Sequence, residues 1–500
     1  MSQKTKWSQF GTLITVFFFW GFVAASNDIL IPVFKKAFTL SQFQSQLVAV
    51  AFYVAYTFGA LIYFGISKII GTDLLNKIGY KNGIVTGLII SAIGTLLFYP
   101  AANTASFTLM LTALFIVALG FSLQQIAANP LAIVMGDPKT GSQRLNMAGG
   151  INNFGTTIGP LLVSIAIFGS VSSGSSTASI ESVKTPYLIL GLAFVLVAIF
   201  LKFSSVPNKI DLEEVAAEEA DAASKVLHRA SVFQYPQLWM GMIGIFVYVG
   251  VEVSTASNLP EYLHQHFQIL NGTVVSKSLQ SIGATEFTND FNAPFISLYW
   301  ASLMMGRWTG AVGAFDVSAG AKKILNFLMP YLAFAVFLIV NKIAQHDITP
   351  FYVYAFVIIA MIIGDILSKG SPARMLLIFS LMGITALAIG MLTTGMVSVF
   401  AFISVGLFCS TLWPCIFTLS VAGLGKHTNQ GSSLLIMMIM GGGFIAALQG
   451  WLGSDNLLGI QYSYIVGVVC FAYMAFYAIR SKSILKTQGI DYDVKVSGGH

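Results

Sequence analysis

The sequence predicts an all-α integral membrane protein with two pseudo-symmetric six-helix bundles plus two extra helices, fourteen spans in all. Of its 500 residues, 56% are hydrophobic and 9% are charged, whereas roughly 25% are charged in soluble domains. Apolar runs of about 20 residues recur, and as helices they are long enough to cross a hydrocarbon core about 30 Å thick. The regularly alternating segments of a membrane β-barrel are absent from the sequence.

The predicted spans form two groups separated by a polar segment. The first six cover approximately residues 10–34, 46–70, 83–99, 107–135, 145–168 and 186–203. The other eight cover approximately 238–257, 294–314, 324–340, 351–367, 375–392, 397–421, 433–452 and 460–479. The expected units are an N-terminal bundle at 1–203, a cytoplasmic linker at 204–237, a C-terminal bundle at 238–480 with the extra pair at about 324–367, and a cytoplasmic tail at 481–500.

Basic residues indicate the topology. Cytoplasmic loops are rich in Lys and Arg, and most of the 26 such residues share one side of the membrane if the N-terminus is cytoplasmic. The exceptions are Lys35, Lys36, Lys184, Lys277 and Lys342 in loops on the other side, and Arg307 within a span. If only one helix of the extra pair crossed the membrane, the basic loops that follow it would lie outside the cytoplasm. We therefore predict an even number of spans and two cytoplasmic termini.

The two groups of spans also share similar features at corresponding positions. A helix containing proline precedes the loop at 139–143 in the first half and the loop at 426–430 in the second. Each loop leads into a helix with several glycines, for which close helix packing is the expected role. Without the pair at 324–367, each half has six spans, an internal duplication that is common in secondary transporters.

Three charged residues fall well inside predicted spans: Asp28, Glu252 and Arg307. An ionisable group in a membrane is costly unless it is paired or hydrated, which makes such residues functional candidates. Glu252 and Arg307 are predicted to form a structural ion pair, while Asp28 has no obvious cation in its half and is the better candidate for a coupling site. Asp365 lies near a helix end and is expected to be hydrated.

Neutral amides form a second group of candidates. Carboxamides both donate and accept hydrogen bonds, so several of them facing one cavity suit a polyhydroxylated neutral solute. The predicted substrate-binding residues are Asn27, Gln124, Gln125, Asn129, Asn152 and Asn153.

Enzymatic and metal-binding functions find little support in the sequence. All six histidines lie outside the predicted spans, and the three cysteines lie in apolar runs without metal-ligand spacing. We expect no cofactor, no metal and no enzyme activity. The net charge of +6 is accounted for by topology and does not indicate nucleic acid as a partner. The expected partners are a small solute, a coupling cation and the lipid bilayer, and the expected state is a monomer.

Four motifs resemble those of a known family. They are Trp20-Gly21 leading to Asn27-Asp28, the loop Asn76-Lys77-Ile-Gly79-Tyr-Lys81, Ala128-Asn129-Pro130, and Arg144-Leu145-Asn146. Together they resemble the fucose–proton symporter family of the major facilitator superfamily, and particularly its bacterial glucose/galactose porters. The loop with Lys77, Gly79 and Lys81 alone would indicate only the superfamily. Lys77, Gly79, Lys81 and Arg144 are therefore predicted to belong to gating loops.

The resemblance implies two six-helix bundles, alternating access, and hexose uptake driven by a cation gradient across a bacterial inner membrane. Asp28 matches the family's carboxylate on the first helix. The family's second carboxylate, on the fourth helix, falls at Gln125, which binds hydroxyls but cannot titrate. Glu252 is one replacement for the missing carboxylate, and coupling to sodium or uncoupled transport are the alternatives. The extra helix pair is a second departure from the family plan.

The leading hypothesis is a proton-coupled hexose symporter with Asp28 as its coupling site. The rivals within transport are a sodium-coupled symporter, an uncoupled sugar facilitator and a drug exporter. A rival of another class is a membrane sugar sensor that does not transport.

Overall fold

The computed structural model describes residues 5–37, 42–168, 184–210, 229–270, 273–276, 285–286 and 289–491. Side chains at 24–50 and in several shorter stretches lie outside this description. In the first half the helices are α1 Trp7–Ala37, α2 Gln42–Ile69, α3 Leu74–Ile78, α4 Tyr80–Leu96, α5 Phe98–Asn103, α6 Phe107–Val134, α7 Gly141–Phe168 and α8 Lys184–Phe203. The helices α4 and α5 together make the third span.

The second half contains the eight remaining spans. Its helices are α9 Pro236–His266, α10 Asn289–Ala311, α11 Ala319–Ile343, α12 Tyr354–Ser368, α13 Pro372–Leu392, α14 Gly395–Cys409, α15 Leu412–Val421, α16 Thr428–Met437, α17 Gly441–Leu452, α18 Gly459–Ser463 and α19 Ile465–Thr487. The pairs α14–α15, α16–α17 and α18–α19 each form one span. Eleven described segments are long and apolar enough to cross a membrane, and α1, α7 and α10 complete the fourteen.

The same packing pattern occurs in both halves and identifies the extra pair. In the first half α1 packs on α7, α4 on α6 and α8, and α2 on α6. In the second half α9 packs on α17, α13 on α14 and α19, and α10 on α14. These contacts correspond one to one if α11 and α12 are left out. The predicted fold of two six-helix bundles with an inserted helix pair is confirmed, while the exact domain boundaries stay a prediction.

Glycines allow equivalent helices to approach closely in the two halves. A Cβ atom on Gly155 in α7 would lie 2.5 Å from the backbone oxygen of Phe18 in α1. In the second half a Cβ on Gly441 would lie 2.1 Å from the backbone oxygen of Phe246 in α9. Both distances are too short for any larger residue, so these glycines serve helix packing as expected.

The loop after the seventh span contains more structure than expected. The helix α9 continues to His266, beyond the predicted end at 257, because its last turns carry polar residues outside the apolar run. Three short strands follow, β1 Phe267–Leu270, β2 Thr273–Ser276 and β3 Thr285–Glu286, and they form an antiparallel sheet in the order β2-β1-β3. Strands of two to four residues are too short for a recognisable alternation, which is why the sequence does not predict them.

The two halves meet along two sets of helices. On one side α7 packs on α10, and on the other α16 packs on α2 and α6. The described connections near residues 70–79, 135–140, 204–210, 229–235, 312–318, 369–371 and 422–427 lie at one end of the bundle, which we call the linker side. A cavity lies between the halves.

Candidate functional site

The central cavity has a volume of about 230 Å³ and is lined by both halves. Its walls combine aromatic rings, neutral amides and one ion pair. The first half contributes Phe17, Trp20, Tyr53, Tyr56, Gln125, Asn129, Gly149, Asn152 and Asn153 among others, and the second half contributes Tyr248, Glu252, Trp300, Leu303, Arg307, Trp413 and Pro414. This mixture suits a small solute with both hydroxyl groups and apolar C–H surfaces.

Gln125 and Asn129 lie one helical turn apart on α6 and both face the cavity. Gln125 Nε2 donates to the hydroxyl of Tyr56 at 3.1 Å, and its carbonyl oxygen accepts no hydrogen bond from a described residue. The Nδ2 atom of Asn129 is buried without a partner in the described structure. An unsatisfied buried donor is costly, so a ligand hydroxyl in the cavity would be stabilised here.

Gln124 projects from α6 in a different direction from Gln125 and does not line the cavity. Its Oε1 accepts from Trp20 Nε1 at 2.5 Å, and its Nε2 donates to Ser91 Oγ at 3.0 Å. With both ends bonded and the side chain fully buried, Gln124 fixes α1 and α4 against α6. We therefore leave this predicted sugar ligand out of the site.

The two asparagines on α7 have different surroundings. Asn152 lines the cavity and donates from Nδ2 to the backbone oxygen of Phe17 at 3.0 Å, so its own oxygen remains available. The oxygen of Asn153 accepts from Arg307 Nη1 at 2.6 Å across the boundary between the halves. Asn152 is thus the better placed of the two for binding a solute.

The predicted pair of Glu252 and Arg307 is present in the cavity wall. Arg307 Nη2 lies 3.7 Å from Glu252 Oε1, and the two side chains are 11% and 13% exposed. The hydroxyl of Tyr248 donates to the same carboxylate oxygen at 2.8 Å. Sequence analysis did not single out Tyr248, because a tyrosine one turn before an acidic residue carries no specific signal.

Arg307 also connects the two halves. In the first half its Nη1 donates to Asn153 and, at 3.3 Å, to the backbone oxygen of Gly149. In the second half its Nε donates to the backbone oxygen of Ser410 at 3.0 Å. That oxygen lies at the break between α14 and α15, where Pro414 follows in the first turn of α15. The Arg307 guanidinium therefore connects Glu252 in the cavity wall to the boundary between the two halves.

Asn27 and Asp28 lie within α1. Their side chains fall outside the described part of the chain. Their predicted roles in substrate binding and coupling stay predictions.

A family model described as Major Facilitator Superfamily matches residues 10–341. The chain belongs to the major facilitator superfamily. It is 32% identical over 483 residues to the glucose/galactose transporter of Brucella abortus, with 96% of both chains covered. It is 26% identical over 484 residues to the L-fucose–proton symporter of Escherichia coli, with 94% of this chain and 92% of the relative covered.

A solved structure shows the same fold. A crystal structure of FucP, the Escherichia coli fucose–proton symporter, in the outward conformation superposes with a TM-score of 0.66 at 26% identity, covering 94% of this chain and 98% of FucP. These matches confirm the family resemblance predicted from the motifs. Members of the superfamily are transporters, which confirms the prediction that the chain is not an enzyme.

The predicted gating loop of this major facilitator superfamily protein is held on the linker side. Gly79 has φ +88°, and a Cβ there would lie 2.2 Å from the Asn208 side chain. Lys81 Nζ donates to the backbone oxygen of Ser204 at 3.0 Å. Lys77 is exposed at the end of α3. The loop is thus tied to the segment that follows α8 within its own half.

Arg144 is fully buried and closes the end of α6. Its Nε donates to the backbone oxygen of Ala132 at 2.9 Å, and Nη2 donates to those of Ile133 and Asp137. The last carbonyls of a helix lack partners within the helix, and a cation at this end also complements the helix dipole. Arg144 therefore holds the connection between α6 and α7 and makes no contact with the cavity.

A second network on the linker side joins the two halves. Asn429, at the start of α16, accepts from the hydroxyl of Tyr80 and donates to Asp73 Oδ1 at 3.0 Å and Asn76 Oδ1 at 3.2 Å. Asp73 also accepts from the Tyr63 hydroxyl at 2.6 Å and from Leu75 N at 3.0 Å as the N-cap of α3. These bonds, most of them buried, close the linker side beneath the cavity.

Replacing Asn429 by alanine is expected to increase the fraction of molecules in which the linker side is open. The variant loses three hydrogen bonds to the first half, each worth about 1 kcal/mol. In a background with cysteine at Ser432, a buried residue that bonds to the backbone of Ile126, maleimide labelling from the linker side should become about a hundredfold faster. The matched control is Asn82→Ala, since Asn82 bonds within its own half. Equal rates in Asn429→Ala and the parent would contradict this role.

Proposed function

We propose that the chain is a secondary active transporter that takes up a hexose across a bacterial inner membrane by alternating access, coupled to protons. The observation that carries the proposal is the central cavity, in which neutral amides and aromatic rings of both halves surround one carboxylate–guanidinium pair. The relatives named as glucose/galactose transporters and fucose–proton symporters support the substrate class and the coupling ion.

The sugar ligands in this proposal are Gln125, Asn129 and Asn152. Each has an amide atom that a sugar hydroxyl can satisfy, and they lie on two different helices of the first half. Rings such as Trp300 and Trp413 lie across the cavity in the second half and offer faces to sugar C–H groups. A hexose between them would contact both halves, as alternating access requires.

Coupling in this proposal involves two carboxylates. Asp28 matches the carboxylate that the family resemblance places on the first helix. Gln125 stands where the resemblance places the second carboxylate, and Glu252 takes over the role of that carboxylate. A proton on Glu252 removes its attraction to Arg307. Arg307 also bonds Asn153 and Gly149 of the first half, so protonation would loosen a contact between the halves.

The linker side is cytoplasmic in this proposal, because that side carries most of the lysines and arginines. Both termini then lie in the cytoplasm, and the protein acts as a monomer in the lipid bilayer. The hydrogen bonds of Asn429 close this side, and the likeness to FucP in the outward conformation supports a cavity that faces outward.

Hexose binding tests the substrate class. Purified protein should bind radiolabelled D-glucose, D-galactose or L-fucose, and Gln125→Ala should weaken this binding about tenfold through loss of hydrogen bonds to sugar hydroxyls. The control is Gln265→Ala, because Gln265 bonds to Glu261 near the end of α9, away from the cavity. Binding of apolar cations without any hexose binding would instead support the drug exporter.

A further inference from the structure

A second cavity, of about 400 Å³, lies on the linker side beside the inserted helix pair. Its walls come from the start of α7 in the first half and from the ends of α10, α11, α12 and α13 in the second. It shares no lining residue with the central cavity. Nothing in the proposed transport function requires it.

The mouth of this cavity is basic. Lys322, Lys323 and Lys369 line it, and none of their ammonium groups forms a hydrogen bond or ion pair with another residue that the structure describes. The helix α13 begins here at Pro372 without a side-chain cap. The positive end of its dipole adds to the lysine charges. Unpaired cations around an open cavity favour an anion.

The inner wall of the cavity offers hydrogen-bond acceptors. Asp365 is held by Asn326 Nδ2, which donates to its Oδ2 at 3.0 Å, so this acid is enclosed in a cavity and is not at a freely hydrated helix end as expected. Asn146 is 1% exposed, and its Oδ1 is buried without a partner in the described structure. Asn146 is itself one of the residues that line the cavity. Both groups need donors such as hydroxyls.

We propose that this cavity binds a phosphate ester that carries free hydroxyl groups, with the phosphate on Lys322, Lys323 and Lys369 and the hydroxyls on Asp365 and Asn146. A soluble sugar phosphate and the headgroup of phosphatidylglycerol share this chemistry. A bare phosphate would leave the acceptors of the inner wall unsatisfied. A neutral sugar would leave the lysines unpaired.

The location of the cavity gives binding a consequence for transport. Gln143 Nε2 of α7 donates to the backbone oxygen of Gly370 at 3.2 Å, which already joins the first half to the inserted pair at the cavity edge. A ligand that contacts Asn146 in one half and the lysines of the other would hold the linker side closed. This consequence rests on the proposed transport function, whereas binding itself does not.

Binding is tested on the purified full chain in nanodiscs. In phosphatidylcholine nanodiscs, D-glucose 6-phosphate should raise the melting temperature of the protein. It should do so at concentrations at least tenfold lower than inorganic phosphate requires. Excess D-glucose should not displace the bound D-glucose 6-phosphate. In the second arm, native mass spectrometry should show retention of phosphatidylglycerol over phosphatidylcholine. The first result identifies a soluble ligand and the second a lipid headgroup, and either supports the site.

The variants decide whether the lysines of the cavity are responsible. The triple variant K322Q/K323Q/K369Q should weaken binding at least tenfold, while K68Q/K426Q/K486Q, which removes three exposed lysines elsewhere, should bind as the parent does. If the triple variant does not fold, Lys369→Gln should weaken binding and Lys369→Arg should preserve it. Binding of neither probe, or binding that survives loss of the cavity lysines, would overturn the proposal.

Discussion

Replacing Arg307 by methionine is expected to reduce hexose transport at least a hundredfold and to destabilise the protein by about 3–5 kcal/mol, the usual cost of removing one partner of a buried ion pair. The guanidinium bonds to two groups of the first half and to three of the second. Methionine preserves the unbranched inner part of the side chain but makes none of these bonds. Glu252 would remain as an uncompensated acid in the cavity wall.

The charge and the geometry of Arg307 can be separated. Arg307→Lys preserves the charge but lacks the planar fork that reaches Asn153, Ser410 and Glu252 together, so we expect intermediate stability and strongly reduced transport. Glu252→Gln combined with Arg307→Met should be more stable than Arg307→Met alone, because no unpaired charge remains. Transport and thermal unfolding of these three variants and the parent would measure this. Normal transport by Arg307→Met would contradict a role for the residue at the boundary between the halves.

Replacing Asp28 by asparagine is expected to abolish accumulation of hexose against a gradient, while sugar counterflow survives. Asparagine is nearly isosteric with aspartate but cannot carry a proton through the transport cycle. Counterflow exchanges one sugar for another without net proton movement, so it does not need the coupling site. Uptake and counterflow in the same proteoliposomes measure the two activities separately.

Two controls make the Asp28 result specific. Asp455→Asn changes an exposed acid in a loop away from both cavities and should behave like the parent. Glu252→Gln should also impair accumulation if coupling uses both carboxylates. Full accumulation by Asp28→Asn would remove Asp28 from the mechanism.

The sequence predicts those features of the fold that depend on local composition. The fourteen spans follow from apolar length, since a bilayer requires about 20 residues per helix, and the inserted pair follows from the charges of the loops. The pairing of Glu252 with Arg307 follows because few charges are buried in the spans. Each of these inferences needs only a segment and its immediate neighbours.

Features that depend on contacts between distant parts of the chain cannot be predicted from local composition. Gln124 and Gln125 are adjacent and chemically identical, yet only Gln125 faces the cavity, because successive side chains on a helix point in different directions. The bonds of Asn429 to Asp73 and Tyr80 join residues about 350 positions apart, and neither local periodicity nor composition identifies the partners. The cavity beside α11 and α12 likewise combines the start of α7, at 142–146, with stretches at 309–326 and 365–375, which lie more than 160 positions later in the chain.

The most direct test of the central claim is the proton flux that accompanies hexose. Protein reconstituted in proteoliposomes with a pH-sensitive dye, without a sodium gradient, should show alkalinisation of the external medium when glucose, galactose or fucose is added. The signal should be absent from empty liposomes and from Asp28→Asn. Hexose entry without proton movement, or entry only with a sodium gradient, would contradict proton-coupled symport.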